Sequence, residues 1–313
     1  MAGAARGDRW SLLPPVAAAG AHSMLEPSIL AASLIHGLAN GAVYALVALG
    51  LSLVYGVLHI INFAHGALLM VALYAVFFLV ERLGLDPYAA IPILVPAAGA
   101  AGYLLHRWVI AKASRGREEA VLLVTLGVAL VLENLALALF RSDTRTIETG
   151  WAFEMVAVGP ALLPAAKLAA AAGALVAVLS LWAVVRATDL GRAIRAVAKE
   201  REAARLVGID VDHVFALAFA IGTATLGAAA CLLLPTYYVS PQVGHGFVLI
   251  AFTIVVLGGM GSFWGAFWGG LLIGVVESLG GLFLGESLGQ IGIFAIFIAT
   301  LLFRPTGLFG RAV

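Results

Sequence analysis

Glu133 and Glu277 are the acids most embedded in apolar sequence. At such depth in hydrocarbon a carboxyl group either carries a proton or ion, or locks helices together through a hydrogen bond. The first role would make the chain a proton-coupled secondary transporter, yet no Lys or Arg lies within a few helical turns of either acid to complete a relay. His36, His59 and His65 read as neutral packing or hydrogen-bonding groups, with substrate contact as the alternative. Cys231, the one cysteine, stands in an apolar stretch, so disulfides and thiolate metal sites are out. There is no H-E-x-x-H pair and no Cys/His cluster, so no metal ligands are assigned. No Gly is followed directly by Lys, which removes a P-loop. An intramembrane enzyme would need convergent ionisable groups or metal ligands on neighbouring turns, and the sequence offers none.

Backbone chemistry is the second signal. Of the 36 glycines, many fall in 37–66 and in the run Gly258, Gly259, Gly261, Gly265, Gly269, Gly270, Gly274. Gly261, Gly265 and Gly269 recur at four-residue steps, as in small-xxx-small helix packing. The same run, Gly258-Gly259-Met260-Gly261-Ser262, also reads as a broken helix, tolerated at membrane depth only when buried in protein or lining a watery cavity. A like interruption, His59-Ile60-Ile61-Asn62-Phe63-Ala64-His65-Gly66, puts Asn62 and two histidines where lipid exposure would be costly. Candidate path or gate residues are Asn40, Tyr44, Asn62, His65, Gly66, Gly258, Gly259, Gly261 and Ser262.

These residues need a membrane to work in. The 313-residue chain is 63% hydrophobic and 11% charged, with mean hydropathy +1.07. Soluble domains carry about 25% charged residues, and 18 basic plus 17 acidic side chains cannot coat a soluble surface of this size. Net charge +1 provides no field for nucleic acid. Segments 27–80, 87–106, 168–185, 214–276 and 287–303 lack Asp, Glu, Lys and Arg, and a spanning helix takes about 20 such residues. Charge gaps and turn residues predict an all-α polytopic protein of eight or nine spans, near 29–50, 58–80, 89–107, 119–140, 163–185, 214–236, 247–262, 264–284 and 288–304.

Lys and Arg sort by side. Arg107, Lys112, Arg115, Arg117, Arg186, Arg192, Arg195, Lys199, Arg201, Arg205, Arg304 and Arg311 belong to the cytoplasmic face; Arg82, Arg141, Arg145 and Lys167 lie on the other. With nine spans the first helix starts outside and the C-terminus lies inside. Residues 1–23 form a Pro-, Ala- and Gly-rich tail whose Arg6 and Arg9 oppose that orientation. A true start at Met24 would remove the conflict, leaving 24–310 as one transmembrane domain.

The main charged segment, 186–213, reads as a cytoplasmic hairpin. Its Ala-, Arg- and Glu-rich run favours helix, Gly208 stops it, and Asp189 or Asp210 would cap the helices that follow. Docking to a cytoplasmic partner is the functional reading, and a loop that only sets topology is the plain one.

Glu202-Ala203-Ala204-x-x-x-Gly208 matches the E-A-A-x-x-x-G signature of ABC importer permeases, without the later Ile-x-Leu-Pro half. Three further blocks are Asn40-Gly41-Ala42-Val43-Tyr44-Ala45-Leu46 with Asn62-Phe63-Ala64-His65-Gly66; Val256-Leu257-Gly258-Gly259-Met260-Gly261-Ser262; and Phe303-Arg304-Pro305-Thr306-Gly307-Leu308-Phe309-Gly310. Together they resemble the H-type inner-membrane permease of the branched-chain amino acid ABC transporter, over about 24–310. Ala67, Glu133 and Phe263-Trp264 depart from residues common in that family.

The resemblance implies an ABC permease fold and a subunit, not an enzyme, that forms the path for leucine, isoleucine or valine by alternating access in the bacterial inner membrane. Urea or short amides are the second substrate class. It also implies a second homologous permease, two cytoplasmic ATPases holding ATP and Mg, and an extracytoplasmic solute-binding protein. No cofactor is expected on this chain. The coupling contacts would be Arg192, Arg195, Glu202, Ala203, Ala204 and Gly208.

Overall fold

The computed structural model describes residues 26–113, 118–147, 150–304 and 306–309. The expectations for the tail 1–23, Met24, Arg115, Arg117, Pro305, Gly310 and Arg311 lie outside the described residues.

Helix α1 (Pro27–Leu58) is the central element. Pro27 costs nothing in its first turn, where the N–H would have no partner anyway. At 32 residues it would measure about 48 Å at 1.5 Å per residue, longer than a bilayer core. The predicted end near residue 50 is passed because Gly50 faces the backbone carbonyl of Gly222, at a crossing too tight for a side chain. Next come α2 (His65–Leu83), α3 (Ile91–Leu105) and α4 (Glu118–Phe140); α3 continues through a π turn, His106–Ile110, to Ala113.

A small antiparallel hairpin, β1 (Met155–Val158) and β2 (Ala161–Pro164), precedes α5 (Ala165–Ala187). Two short helices follow, α6 (Asp189–Lys199) and α7 (Arg201–Leu206). The chain ends with α8 (Val211–Leu233), α9 (Val243–Gly258), α10 (Phe263–Leu284) and α11 (Glu286–Phe303). Among the described residues, seven helices are long and apolar enough to cross a membrane; α9 and residues Ile291–Phe303 of α11 are shorter apolar ones. All nine predicted spans therefore have a helix. The second starts at His65 instead of near 58, because residues 59–64 are not helical.

Helices α5, α8, α9 and α10 pack around α1. The α1–α10 crossing is built on small residues: a Cβ on Gly41 would lie 2.8 Å from the Gly270 carbonyl oxygen, and one on Gly37 2.7 Å from the Val275 Cα. Without a hydrophobic force between helices in lipid, such close backbone approach supplies the contact. The expected single stripe through Gly261, Gly265 and Gly269 is corrected. Gly261 precedes α10, Gly265 and Gly269 face α9, and Gly270 and Gly274 face α1. Outward positions stay apolar, as Leu123, Leu130, Val131 and Leu139 on α4 illustrate.

Candidate translocation path and coupling face

The charged hairpin is narrower than 186–213, because α5 runs to Ala187 and α8 starts at Val211. It is two helices instead of one, with Glu200 extended between them. The Thr188 hydroxyl caps α6 by accepting from Gly191 N–H at 3.1 Å, in place of Asp189, while Asp210 caps α8 by accepting from His213 N–H at 3.1 Å. Gly208, at φ +87°, follows the end of α7.

Each helix of the hairpin has two sides. Ile194, Val197 and Ala204 are buried beside Val54, Val57 and Val214. Glu202, Ala203 and Gly208 are exposed, and Leu206 and Val207 are 89% and 77% exposed. Arg192 pairs with Asp189, Arg205 pairs with Glu202 at 2.9 Å, and Arg195 donates to the Val185 carbonyl. Arg201 donates to the Leu58 carbonyl at 2.6 Å, tying the hairpin to the end of α1.

The 258–262 interruption meets the end of α1 beside this hairpin. Gly56, near the end of α1, touches Gly261 in the α9–α10 turn, and Ser52 donates to the Ser262 carbonyl at 3.4 Å. Gly259 and Gly261 take φ +94° and +80°, values that L side chains adopt only with strain. The Ser262 hydroxyl then accepts from Gly265 N–H at 3.1 Å and starts α10. A cavity of about 120 Å³ between Ser52, Gly56, Ile194, Arg195 and Gly261 brings α6 to the same place.

The last described residues close the turn from the other side. Leu308 N–H donates to the Leu257 carbonyl at 2.7 Å, and Phe309 N–H to the Gly258 carbonyl at 3.2 Å. Both acceptors belong to the last turn of α9, which has no intrahelical donors for them. The Phe303–Gly310 block thus has a physical use in this fold: its described part caps a helix.

Residues 59–64 climb back along α1. The Asn62 carboxamide oxygen accepts from Ala64 N–H at 3.1 Å, and the His65 ring lies 2.9 Å from the Val47 carbonyl oxygen, donating through Nε2. Asn62 and His65 are 3% and 1% exposed, so this polar pair faces protein instead of lipid. Gly66 abuts Gly244, bringing the starts of α2 and α9 together. Asn62 and His65 hold the entry into α2.

The two acids have different surroundings. Glu133 lies 2.7 Å from His245 Nε2, linking α4 to α9. Glu277 lies within electrostatic reach of the Tyr44 hydroxyl and of Lys167, whose Nζ lies 3.3 Å from His36 Nδ1. Lys167 is remote in sequence, and the packing of α5 on α1 brings it near. A cavity of about 150 Å³ lies beside Glu277, lined also by Tyr237, Ser240, Gln242, Phe247 and Ile250. Tyr44 packs edge-on against Phe247 at 6.1 Å, and Asn40 sits half-buried one turn before it.

At the β1–β2 hairpin, Tyr88 donates to the Ala166 carbonyl at 3.1 Å. Its burial, and then the neighbouring Asp86 carboxylate, push the phenol above its ordinary range, so it stays a donor.

From residue 33 to 301 the chain matches the family described as branched-chain amino acid transport system, permease component. The chain belongs to this family. Among its relatives, the permease is 32% identical over 89% of its length, and 95% of the other, to the high-affinity branched-chain amino acid transport system permease protein BraD of Pseudomonas aeruginosa. It is 32% identical to LivH of Escherichia coli over 89% of its length and 94% of LivH. With LivM of Escherichia coli, the identity is 28% over 85% of the permease and 67% of LivM.

Sequence reasoning missed the partners that tertiary packing supplies to this permease: Lys167, Tyr237, His245 and Phe247. The signal available was the polar run Tyr237-Tyr238-Val239-Ser240-Pro241-Gln242 within a long charge-free segment. It also passed over Gly285-Glu286-Ser287-Leu288-Gly289, which has G-x-S-x-G spacing. That nucleophile turn needs a strand feeding a helix; here it joins helices α10 and α11.

Proposed function

We propose that this permease is the transmembrane subunit of an ATP-driven importer for leucine, isoleucine and valine, forming the path by alternating access. The names of its relatives support the substrate class. The observation that carries the mechanism is the two-sided hairpin, exposed at Glu202, Ala203, Leu206 and Val207, buried at Ala204 in the cluster with Val54 and Val57, and buried at Ile194 beside the Gly56–Gly261 junction.

In this reading the hairpin docks on one of two cytoplasmic ATPases, with Arg192, Arg195, Glu202, Ala203, Ala204 and Gly208 as its coupling residues. ATP and Mg stay on those subunits, and the chain has no cofactor or catalytic role of its own. A homologous permease completes the path, and an extracytoplasmic solute-binding protein delivers the amino acid. The basic residues put the hairpin and the C-terminus in the cytoplasm of a bacterial inner membrane. ATPase closure moves α6, which shifts the Gly56–Gly261 junction and the 258–262 turn as the inner gate. Packed helices carry the motion because their interfaces have discrete arrangements.

The test is leucine uptake into proteoliposomes holding the full assembly. Uptake that requires ATP and survives collapse of the proton gradient supports the proposal. Uptake by the chain without ATPases, driven by a pH gradient, would return Glu133 and Glu277 to the role of proton sites.

A further inference from the structure

The cavity beside Glu277 has a composition that the fold alone does not require. One wall is a carboxylate; a second is neutral and polar, from Tyr237, Ser240 and Gln242; a third is apolar, from Val243, Phe247 and Ile250. Its volume, about 150 Å³, leaves room for a solute of several non-hydrogen atoms. Glu277 itself is incompletely paired. The Tyr44 hydroxyl is within electrostatic reach of its carboxyl group, and Oε2, packed out of contact with the cavity surface, has no hydrogen-bond partner among the described residues. Buried polar atoms in folded proteins are almost always paired, and one that is not needs an explanation.

We propose that Glu277 binds the α-ammonium group of the transported amino acid in this cavity, with Val243, Phe247 and Ile250 receiving its aliphatic side chain. The substrate carboxylate meets the neutral hydroxyl and amide donors of Tyr237, Ser240 and Gln242. Lys167 is within electrostatic reach of Glu277, and its Nζ lies 3.3 Å from His36 Nδ1. A carboxylate among neutral donors suits a zwitterion; urea or an amide has no cation to pair with it. Loose complementarity suits a transit site, since release must remain possible. The inference rests on the importer reading above and narrows its substrate to molecules with a free ammonium group.

The experiment uses the full assembly with its binding protein in proteoliposomes, and reads leucine uptake and ATP hydrolysis separately. Glu277→Gln removes the charge and keeps the shape. Gly246→Leu fills the cavity from a position where an added Cβ meets nothing within 4 Å. Both variants are expected to assemble and hydrolyse ATP when the loaded binding protein is added, with leucine uptake reduced about tenfold or more, a factor of ten corresponding to one step of 1.4 kcal/mol. Glu277→Asp should recover most of the uptake. Wild-type uptake in Glu277→Gln or in Gly246→Leu would overturn the proposal. So would equal loss of assembly in Glu277→Gln and Glu277→Asp, which makes the acid a packing group. If the wild-type assembly itself needs no ATPase for uptake, the importer reading fails first and is recognised as the cause.

Discussion

Gly56 and Gly261 meet backbone to backbone: a Cβ on Gly56 would lie 3.1 Å from the Cα of Gly261, and one on Gly261 3.0 Å from the Cα of Gly56. The contact joins the end of the central helix to the α9–α10 turn at the place where α6 packs. Gly56→Val should wedge the junction and slow leucine uptake about tenfold, the equivalent of 1.4 kcal/mol. ATPase co-purification should persist, because the exposed face of α7 is untouched. Normal uptake in this variant would show that the junction does not move.

Gly307 carries the second closure of the same turn. It has φ +78°, and an added Cβ would lie 2.5 Å from the Cα of Gly259. Gly307→Val should detach the hydrogen bonds of Leu308 and Phe309 to the end of α9 and cost about 1–3 kcal/mol. The check is thermal unfolding in detergent, where a lower melting temperature is expected.

His65→Leu removes the bond to the Val47 carbonyl from a site that is 1% exposed. A loss of about 1–3 kcal/mol is expected, again read as a fall in melting temperature. ATPase binding should not change, since His65 lies away from the hairpin.

Glu133→Gln keeps a hydrogen-bonding partner for His245 and removes the titrating carboxyl. If the pair only links α4 to α9, uptake stays near wild type with an unchanged pH profile. A collapse of uptake together with its pH dependence would instead mark Glu133 as a proton carrier.

Much of the fold was legible because lipid leaves few options. Charge-poor apolar stretches between basic loops announced the long apolar helices, and Gly208 announced the end of the charged hairpin. Helix ends were harder. Gly50 suggested a stop in α1, but tight packing on Gly222 turns that glycine into a contact. The β1–β2 hairpin escaped notice because its strands are four residues each, too short for a clear alternating pattern. The candidate site was half legible. Gly261 and Ser262 stood out as a glycine break in apolar sequence and Tyr44 as part of a family block, whereas Lys167 and Phe247 approach Tyr44 and Glu277 only after α5 and α9 pack on α1. No local pattern records such a meeting.

The central claim is that the exposed side of the 189–208 hairpin seats an ATPase subunit. Its most direct test is co-purification from detergent of candidate ATPase subunits with the wild-type chain and with Glu202→Arg combined with Gly208→Pro. The expected result is ATPase retained by the wild type and lost by the double variant, while the variant remains folded in the membrane. Failure of any ATPase to associate with the wild type, or equal retention by both, would contradict the claim and leave the hairpin as a topology loop.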